Sequence, residues 1–148
     1  MSKKINLKII TPEKLVLEEI VDRVLIPTSE GEIGVLPNHI PLVARLKSGD
    51  VVGISAGEYL PVAVAGGFAE VKKDETGNTS VVILADFAQN VKDLTDQVIK
   101  EAKERAEKLK KEMENKDHVD FEHFSTELER SITQIKIADK WRTRKYRK

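Results

Sequence analysis

Up to residue 90, apolar and polar residues alternate in short runs that glycine and proline interrupt. The alternation is clearest at residues 5–10 (INLKII), where a period of two predicts a half-buried β-strand. Residues 15–26 are interpreted as two strands. Further short strands are predicted at residues 51–54, 59–65, 68–71 and 81–84. Gly66-Gly67 and similar turn signals separate these runs. Short strands at this spacing indicate a β-sandwich or barrel.

Three glycines and two prolines interrupt the apolar residues of segment 29–50, which excludes a helix there. We predict a strand at residues 33–36, a kinked corner at residues 37–39 and a second strand at residues 40–46. The corner leaves Glu32 and His39 on or near loops, where recognition residues tend to lie on a rigid scaffold.

From residue 91 the apolar residues recur at every third or fourth position, the period of one helix face. The first stripe comprises Val91, Leu94, Val98, Ala102, Ala106, Leu109 and Met113. The second comprises Phe121, Phe124, Leu128, Ile132 and Ile135. We predict two helices of about 20 residues, each about 30 Å long, joined by a short connection as an antiparallel hairpin. Such a hairpin buries little apolar surface by itself, which indicates a mobile element.

Composition divides the 148-residue chain in the same way. All eight glycines lie at or before residue 77, and all five prolines lie at or before residue 61. Residues 1–90 carry nine Lys/Arg and twelve Asp/Glu, a net charge of −3, whereas residues 91–148 carry sixteen and thirteen, a net charge of +3. The total of zero argues against a general nucleic-acid-binding protein, because such proteins usually carry a strong basic excess.

The chain contains no cysteine, which excludes disulfides, zinc–cysteine sites and thiol chemistry. Its first residues, MSKKIN, lack the apolar core of a signal peptide. No run approaches the roughly 20 apolar residues that a membrane span requires. We therefore expect a soluble, cytosolic protein that meets a membrane only through a partner.

The segment SEGEIGVLPNHIPL at residues 29–42 closely resembles the signature of the epsilon subunit of F-type ATP synthases, whose mitochondrial counterpart is called delta. Two further stretches, VAGGFAEV at residues 64–71 and VVILAD at residues 81–86, agree with that family in order and spacing. The resemblance covers nearly the whole chain and weakens after residue 90.

This resemblance implies an α+β fold. It has a flattened ten-stranded β-sandwich at residues 1–88 and an antiparallel helical hairpin at residues 89–148. It also implies a non-catalytic rotor subunit of the central stalk, which couples the gamma subunit to the ring of c subunits in proton-driven ATP synthesis. The hairpin would then be an arm that can inhibit ATP hydrolysis. The complex would lie at the cytoplasmic face of the inner membrane, and no cofactor or metal is expected.

The resemblance also suggests which residues meet each partner. Contacts with the gamma subunit are expected at Thr11, His39 and Val43. The less favoured alternative for His39 is an ordinary surface residue at the corner. Contacts with the c-ring are expected at Ser29 and Glu32. The C-terminal segment, residues 140–148, has six basic residues, and contacts with the beta subunit of the catalytic head are expected at Arg142, Arg144 and Lys145. A frayed, solvated end and a nucleic-acid contact remain alternatives for this segment.

Some epsilon subunits bind ATP between their two helices through a motif of the form Ile/Leu-Asp-x-x-Arg-Ala. The matching residues here are LTDQVI at residues 94–99, in which Thr95 replaces the aspartate and Val98 the arginine. In the second helix Arg130 fits one of two arginines and Gln134 replaces the other. Because charged groups supply the strongest hydrogen bonds to phosphate, we expect no tight ATP binding.

Two other classes of function stay open at this point. Residues 53–57 (GISAG) fit the G-x-S-x-G pattern of a serine hydrolase, with Ser55 as the nucleophile. That motif requires a strand, a sharp turn and a helix, whereas the sequence after Ser55 predicts another strand. The second alternative is a β-sandwich adaptor of an unrelated complex, with the helices as a docking arm.

Overall fold

A computed structural model describes residues 3–114 and 121–145, with residues 121, 144 and 145 described by their backbone alone. These residues form two compact units that meet in sequence between Asn90 and Val91. The first unit consists of β-strands and the second of helices. Within the described residues, no helix is long and apolar enough to cross a membrane.

Eight strands make up the first unit. They are β1 Ile5–Ile10, β2 Leu15–Val21, β3 Arg23–Thr28, β4 Gly31–Val35, β5 Leu42–Arg45, β6 Gly49–Ser55, β7 Glu58–Lys73 and β8 Thr79–Asn90. The hydrogen-bonded order is β2-β1-β8-β7-β6-β3-β4, and β5 also pairs with β7. The pairing of β1 with β8 is parallel, and every other strand pairing is antiparallel.

The predicted number of ten strands is wrong, because two long strands each serve both layers of the sandwich. The first half of β7 pairs with β6, and its second half pairs with β5. Gly66 and Gly67 have φ angles of +74° and +117°, yet the strand continues through them and stays paired with β8 on both sides. The predicted turn at these glycines is therefore a bend within one strand. Counting each half of β7 and β8 separately gives the ten.

Strand ends also differ from the predictions in the glycine-rich segment. β4 ends at Val35 and β5 spans only Leu42–Arg45, so the connection between them is longer than predicted. β3 continues through Pro27, which pairs with Glu32 of β4.

The core of the first unit follows from the alternation that the sequence shows. Ile5, Leu7 and Ile9 of β1 are fully buried, which confirms the predicted half-buried strand. They pack with inward-facing residues of the other strands, including Val24, Ile26, Val35, Val51, Val62, Val64, Val71, Val81 and Ile83. Each such side chain contributes about 1.5–3 kcal/mol when it leaves water. The first unit therefore has a core of its own.

The hairpin between β6 and β7 turns at Ala56 and Gly57, with φ angles of +51° and +80°. Positive φ at both central residues of a two-residue loop is typical of a type I′ turn, which favours Asn-Gly. Replacing Ala56 with asparagine is therefore expected to raise the free energy of unfolding by about 0.5–1 kcal/mol. Urea denaturation would measure the gain, with Ala63→Asn, at a buried position, as the destabilising counterpart. A lower urea midpoint for Ala56→Asn than for the parent chain would contradict the turn assignment.

The second unit begins with a 3₁₀ turn at Val91–Asp93, followed by α1 Asp96–Glu114 and α2 Phe121–Lys145. Thr95 caps α1, because its hydroxyl accepts a hydrogen bond from the N–H of Val98 at 3.3 Å. On α1 the buried residues Ile99, Ala102, Ala106 and Leu109 largely reproduce the predicted stripe, with Ile99 in place of Val98.

On α2 the predicted stripe is only partly correct. Phe124, Leu128, Ile132 and Ile135 are half-buried, and the side chain of Phe121 lies outside the described residues. The buried positions are Ser131, Thr133, Gln134, Ile137 and Ala138. The polar ones are tolerated because they have hydrogen-bond partners: Thr133 donates to the carbonyl of Glu129 at 2.8 Å, and Ser131 accepts from Arg105 at 3.5 Å.

Candidate functional site

One broad surface of the first unit is formed by the solvent side of β2, β1 and β5 together with residues 79–85 of β8 and 67–73 of β7, and we call it the outer face. Cross-strand pairing defines a row across it: Arg45, Phe68, Leu84, Ile10 and Leu15. The neighbouring row consists of Val43, Glu70, Val82, Lys8 and Glu18. An apolar row therefore lies beside a row that carries charges.

Several apolar side chains of the outer face lie in solvent. Val43 is 68% exposed, Phe68 55%, Leu84 53% and Leu15 52%. Their neighbours on the inner side of the same strands, such as Ala69 and Ile83, are buried in the core. Contiguous exposed apolar residues with a polar rim are typical of a protein–protein contact. The outer face is the strongest candidate interaction surface of this unit.

The corner after β4 is a β-turn of residues Leu36, Pro37, Asn38 and His39. The N–H of His39 donates to the carbonyl of Leu36 at 3.1 Å, and Asn38 has a φ of +70°. Proline at the second position and positive φ at the third are the features of a type II turn. The N–H of Asn38 also donates to the buried hydroxyl of Thr79 at 2.7 Å, which fixes the corner to β8. This rigid corner presents a half-buried His39, whose Nδ1 lies 2.7 Å from the carbonyl oxygen of Ile40.

The hairpin tip between β3 and β4 presents the two residues predicted to contact the c-ring. Ser29 and Glu32 are both exposed. The turn is closed by the buried Thr28, whose hydroxyl donates to the carbonyl of Gly31, while the N–H of Ser29 donates to the carbonyl of Arg45 at 3.0 Å. A glycine is required at position 31, because its φ is +116°.

The predicted partner residues fall at different places on the first unit. Thr11 follows the last residue of β1, and its buried hydroxyl accepts a hydrogen bond from the N–H of Lys14 at 3.2 Å. His39 lies near the opposite end of the outer face, because the adjacent Asn38 is bonded to Thr79, which pairs with Ile5 at the start of β1. The length of β1 from Ile5 to Thr11 is about 20 Å, and Val43 lies between the two ends. Ser29 lies at the Thr11 end, because its N–H donates to the carbonyl of Arg45, which is in the same cross-strand row as Ile10. The predicted gamma residues therefore span the outer face, and the predicted c-ring residues lie at one of its ends.

Two carboxylates of the first unit have lowered pKa values. A hydrogen bond from Lys4 is the largest cause for Asp22, and a 2.8 Å bond from the N–H of Ala56 adds to the lowering of its pKa. For Asp74 the hydroxyl of Thr76 is the largest cause of the lowered pKa, at 2.6 Å. Both carboxylates are ionised acceptors that close turns. This geometry indicates a structural role for both carboxylates and not a role in acid–base catalysis.

Ser55 lies in a hairpin and not in a nucleophile elbow. It pairs with Glu58 at the end of β6, and the chain continues directly into β7, with no helix after the turn. A Cβ at Gly53 would lie 3.0 Å from Leu7 and 3.1 Å from Val21, so this glycine serves core packing. The hydrolase alternative is therefore wrong on geometry. Within the part of the chain that the structure describes, no group of His, Asp and Glu side chains could hold a metal ion.

In the second unit, the positions of the family's ATP motif carry structural groups. Thr95 is the helix cap, Val98 is half-buried on α1, and Gln134 is buried on α2. Arg130 forms an ion pair with Glu127 at 3.6 Å within α2. The arrangement places no cation at position 98 or 134.

The start of α1 and the last turns of α2 are joined by charge. Arg142 donates to the carboxylate of Asp96 across 46 residues of chain. One residue earlier, Trp141 is half-buried, and the ammonium of Lys140 lies 5.7 Å from the centre of its ring. The side chains of Arg144 and Lys145 lie outside the described residues. Of the predicted cationic contacts, Arg142 therefore already has an intramolecular partner.

Sequence reasoning missed Phe68 and Leu84 of the outer face. The sequence pattern predicts strands at residues 68–71 and 81–84, and both runs are included in the family resemblance, but neither assigns a contact to these two side chains. The available signal was that residues apolar at successive positions put apolar groups on both faces of a strand. Only one of those faces can be the core.

Comparison with known proteins gives the same family throughout. The family model described as ATP synthase, Delta/Epsilon chain, beta-sandwich domain, matches residues 4–91. The ATP synthase epsilon chain of Syntrophobacter fumaroxidans is 41% identical over 140 residues, which cover 95% of this chain and 99% of that one. The epsilon chain of Desulforamulus reducens is 38% identical, with 94% and 100% covered.

Solved structures agree in fold. A chain in the mitochondrial ATP synthase of Euglena gracilis, an assembly of OSCP, F1 and c-ring, superposes with a TM-score of 0.65 at 24% identity, covering 87% of this chain and 78% of that one. A chain in the central stalk and c-ring of Tetrahymena thermophila gives 0.50 at 17% identity, covering 65% and 74%. With relatives matched over nearly their whole length and a family model spanning the sandwich, the chain belongs to the ATP synthase epsilon chain family.

Proposed function

We propose that the chain is a non-catalytic rotor subunit of the central stalk of an F-type ATP synthase, where it couples the gamma subunit to the c-ring during ATP synthesis. The observation that carries this proposal is the match to epsilon chains along nearly the whole chain. The solved neighbours belong to F1/c-ring and central stalk assemblies, which supports the same role.

The outer face is the proposed contact with the gamma subunit. It offers the exposed apolar residues Val43, Phe68 and Leu84, with charged residues beside them. Aromatic and aliphatic residues at the centre of a patch, surrounded by a polar rim, are the usual composition of a stable interface. His39 and Thr11 then mark the two ends of the contact.

The hairpin tip with Ser29 and Glu32 is the proposed contact with the c-ring. Both residues are exposed, and the tip is held by the bonds of Thr28 and Ser29, so it can press against a neighbour without reordering. A carboxylate at Glu32 suits a basic or amide-rich loop surface. The assembly would then hold the chain at the cytoplasmic face of the inner membrane, through its partners.

The arm, residues 91–148, is the proposed regulator of ATP hydrolysis. Extended along gamma, it would bring the cations of residues 140–148 to an acidic segment of the beta subunit in the catalytic head, an attraction that salt weakens. Such a switch requires two packings within a few kcal/mol of each other. Its buried apolar residues are few beside those of the sandwich, and small or polar residues such as Ala102, Ala106 and Ser131 lie among them.

Removal of residues 91–148 from the assembled enzyme tests both parts of the proposal. The cut falls at the boundary between the two compact units, so the sandwich keeps its own core. The shortened chain is expected to remain in the complex, while ATP hydrolysis rises relative to the full-length chain because the inhibitory arm is gone. ATPase assays on matched preparations measure this. Unchanged hydrolysis would reject regulation by the arm, and absence of the full-length chain from the purified stalk would reject the coupling role.

A further inference from the structure

We infer that the ion pair between Asp96 and Arg142 is a clasp that keeps the arm folded as a hairpin and withholds its cationic end from a competing acidic surface. The inference rests on the proposed regulatory function of the arm. It goes further in naming the residues that set the balance and in giving Arg142 two alternative carboxylate partners.

The clasp lies where the hairpin has no covalent closure. At one end the chain itself joins α1 to α2 through residues 115–120. At the other end Asp96, in the first turn of α1, accepts a hydrogen bond from Arg142 in the last turns of α2. Separation of the helices that begins at this end must break the pair.

Both partners occupy positions that the helices themselves favour. A carboxylate in the first turn and a guanidinium in the last turns interact favourably with the partial charges of the helix ends. Thr95 fixes the start of α1 by capping it, so the Asp96 carboxylate is presented from a defined position. Forming the ion pair therefore costs little conformational entropy on the α1 side.

A second polar contact between the helices agrees with the first in helix register. Arg105 of α1 donates to Ser131 of α2 at 3.5 Å, which fits the antiparallel register that Asp96 and Arg142 define. Between these two contacts the buried residues are Ile99 and Ala102 on α1 and Thr133, Gln134, Ile137 and Ala138 on α2. Four of these six residues are small or polar, so the exposed ion pair adds to a seam of limited apolar area.

The pair is also suited to exchange. Asp96 is 90% exposed at its side chain and Arg142 is 52% exposed. Exposed pairs are weak and screened by salt, so a clustered acidic surface can replace one carboxylate with several. During the exchange the guanidinium of Arg142 stays in contact with water, so it is never buried without a carboxylate partner.

This dual role of Arg142 gives two single variants opposite effects on the assembled enzyme. Asp96→Asn opens the hairpin and frees Arg142, so inhibition of ATP hydrolysis is expected to increase. Arg142→Gln also opens the hairpin but removes a cation that the partner would bind, so inhibition is expected to decrease. A purely structural contact would move both variants in the same direction.

Hairpin opening is measured directly in the isolated full chain. The parent contains no cysteine, so Lys100→Cys and Asp139→Cys, both at exposed sites, allow a pair of spin labels across the two helices. Asp96→Asn is expected to raise the ratio of open to closed arms by about two- to five-fold at low salt. The difference should vanish near 1 M salt, where the Debye length is about 3 Å.

Controls separate the clasp from general charge effects. Asp93→Asn removes an exposed negative charge, as Asp96→Asn does, and Lys136→Gln removes an exposed positive charge, as Arg142→Gln does. Both control variants are expected to leave the ratio of open to closed arms unchanged. The double variant Asp96→Asn/Arg142→Gln should open no further than either single one. Additive opening, or equal opening by Asp93→Asn, overturns the clasp. Failure of the proposed arm function appears separately, as unchanged hydrolysis after removal of residues 91–148 together with an intact clasp in the spin-label measurement.

Discussion

Replacing Gly67 with alanine is expected to lower the free energy of unfolding of the sandwich by about 3 kcal/mol or more, because two costs combine at this position. Its φ of +117° lies in a region that L side chains rarely adopt. A Cβ would also lie 2.0 Å from the carbonyl oxygen of Leu84 and 2.8 Å from the Cα of Ala85. Both are backbone atoms of β8, so the pairing of the two long strands must move.

Gly77→Ala provides a matched control in the turn between the same strands. Its φ is +83°, but no heavy atom lies within 4 Å of the added Cβ, so only the backbone strain remains. That strain costs roughly 1–2 kcal/mol. Urea denaturation followed by far-ultraviolet circular dichroism compares the two. Equal urea midpoints for the two variants would show that β8 moves freely to admit the methyl group.

The same glycine explains where sequence reasoning about the fold failed. The sequence predicts a turn between two strands at Gly66-Gly67, because a glycine pair is a common turn signal. The chain does bend there, but β7 stays hydrogen-bonded to β8 across the bend. Whether two glycines end a strand or bend it depends on the neighbouring strand, which lies far away in sequence. β1 needed no such information, since its alternation alone indicates which residues are buried.

The helices show a different limit. Periodicity predicted the α1 face well, because apolar side chains coincide with buried ones there. On α2 the buried set includes Ser131, Thr133 and Gln134, whose burial depends on available hydrogen-bond partners and not on hydrophobicity. A pattern of apolar residues cannot identify such positions. The ion pair between Asp96 and Arg142 likewise cannot be predicted from the sequence pattern, because it depends on the register of the two helices.

For the candidate site, the resemblance supplied what periodicity could not. Thr11, His39 and Val43 carry no local signal that they belong to one surface, and only the pairing of β1, β5 and β8 relates them. Conversely, Phe68 and Leu84 follow from simple physics once the pairing is known, because exposed apolar residues in adjacent strands form a patch. The centre of the proposed gamma contact is thus defined by the fold, and its extent by the family.

Replacing Phe68 with aspartate is expected to weaken binding to the gamma subunit by roughly 100-fold, because a carboxylate would be buried among apolar groups where an aromatic anchor is lost. The side chain is 55% exposed in the free chain, so the fold itself should tolerate the change. Isothermal titration of the purified full-length chain into gamma measures the dissociation constant. Circular dichroism of the free variant verifies that the sandwich is intact.

Tyr59→Asp is the matched control, because Tyr59 is also an exposed aromatic residue of β7. It lies in the half of β7 that pairs with β6, away from the outer face, and is 42% exposed. The control variant should bind gamma as the parent does. If Phe68→Asp bound equally well, the apolar row of Phe68 and Leu84 would be free of gamma, and the contact would have to be assigned to the corner at His39. Loss of binding in both variants would instead place gamma on a surface that includes the first half of β7.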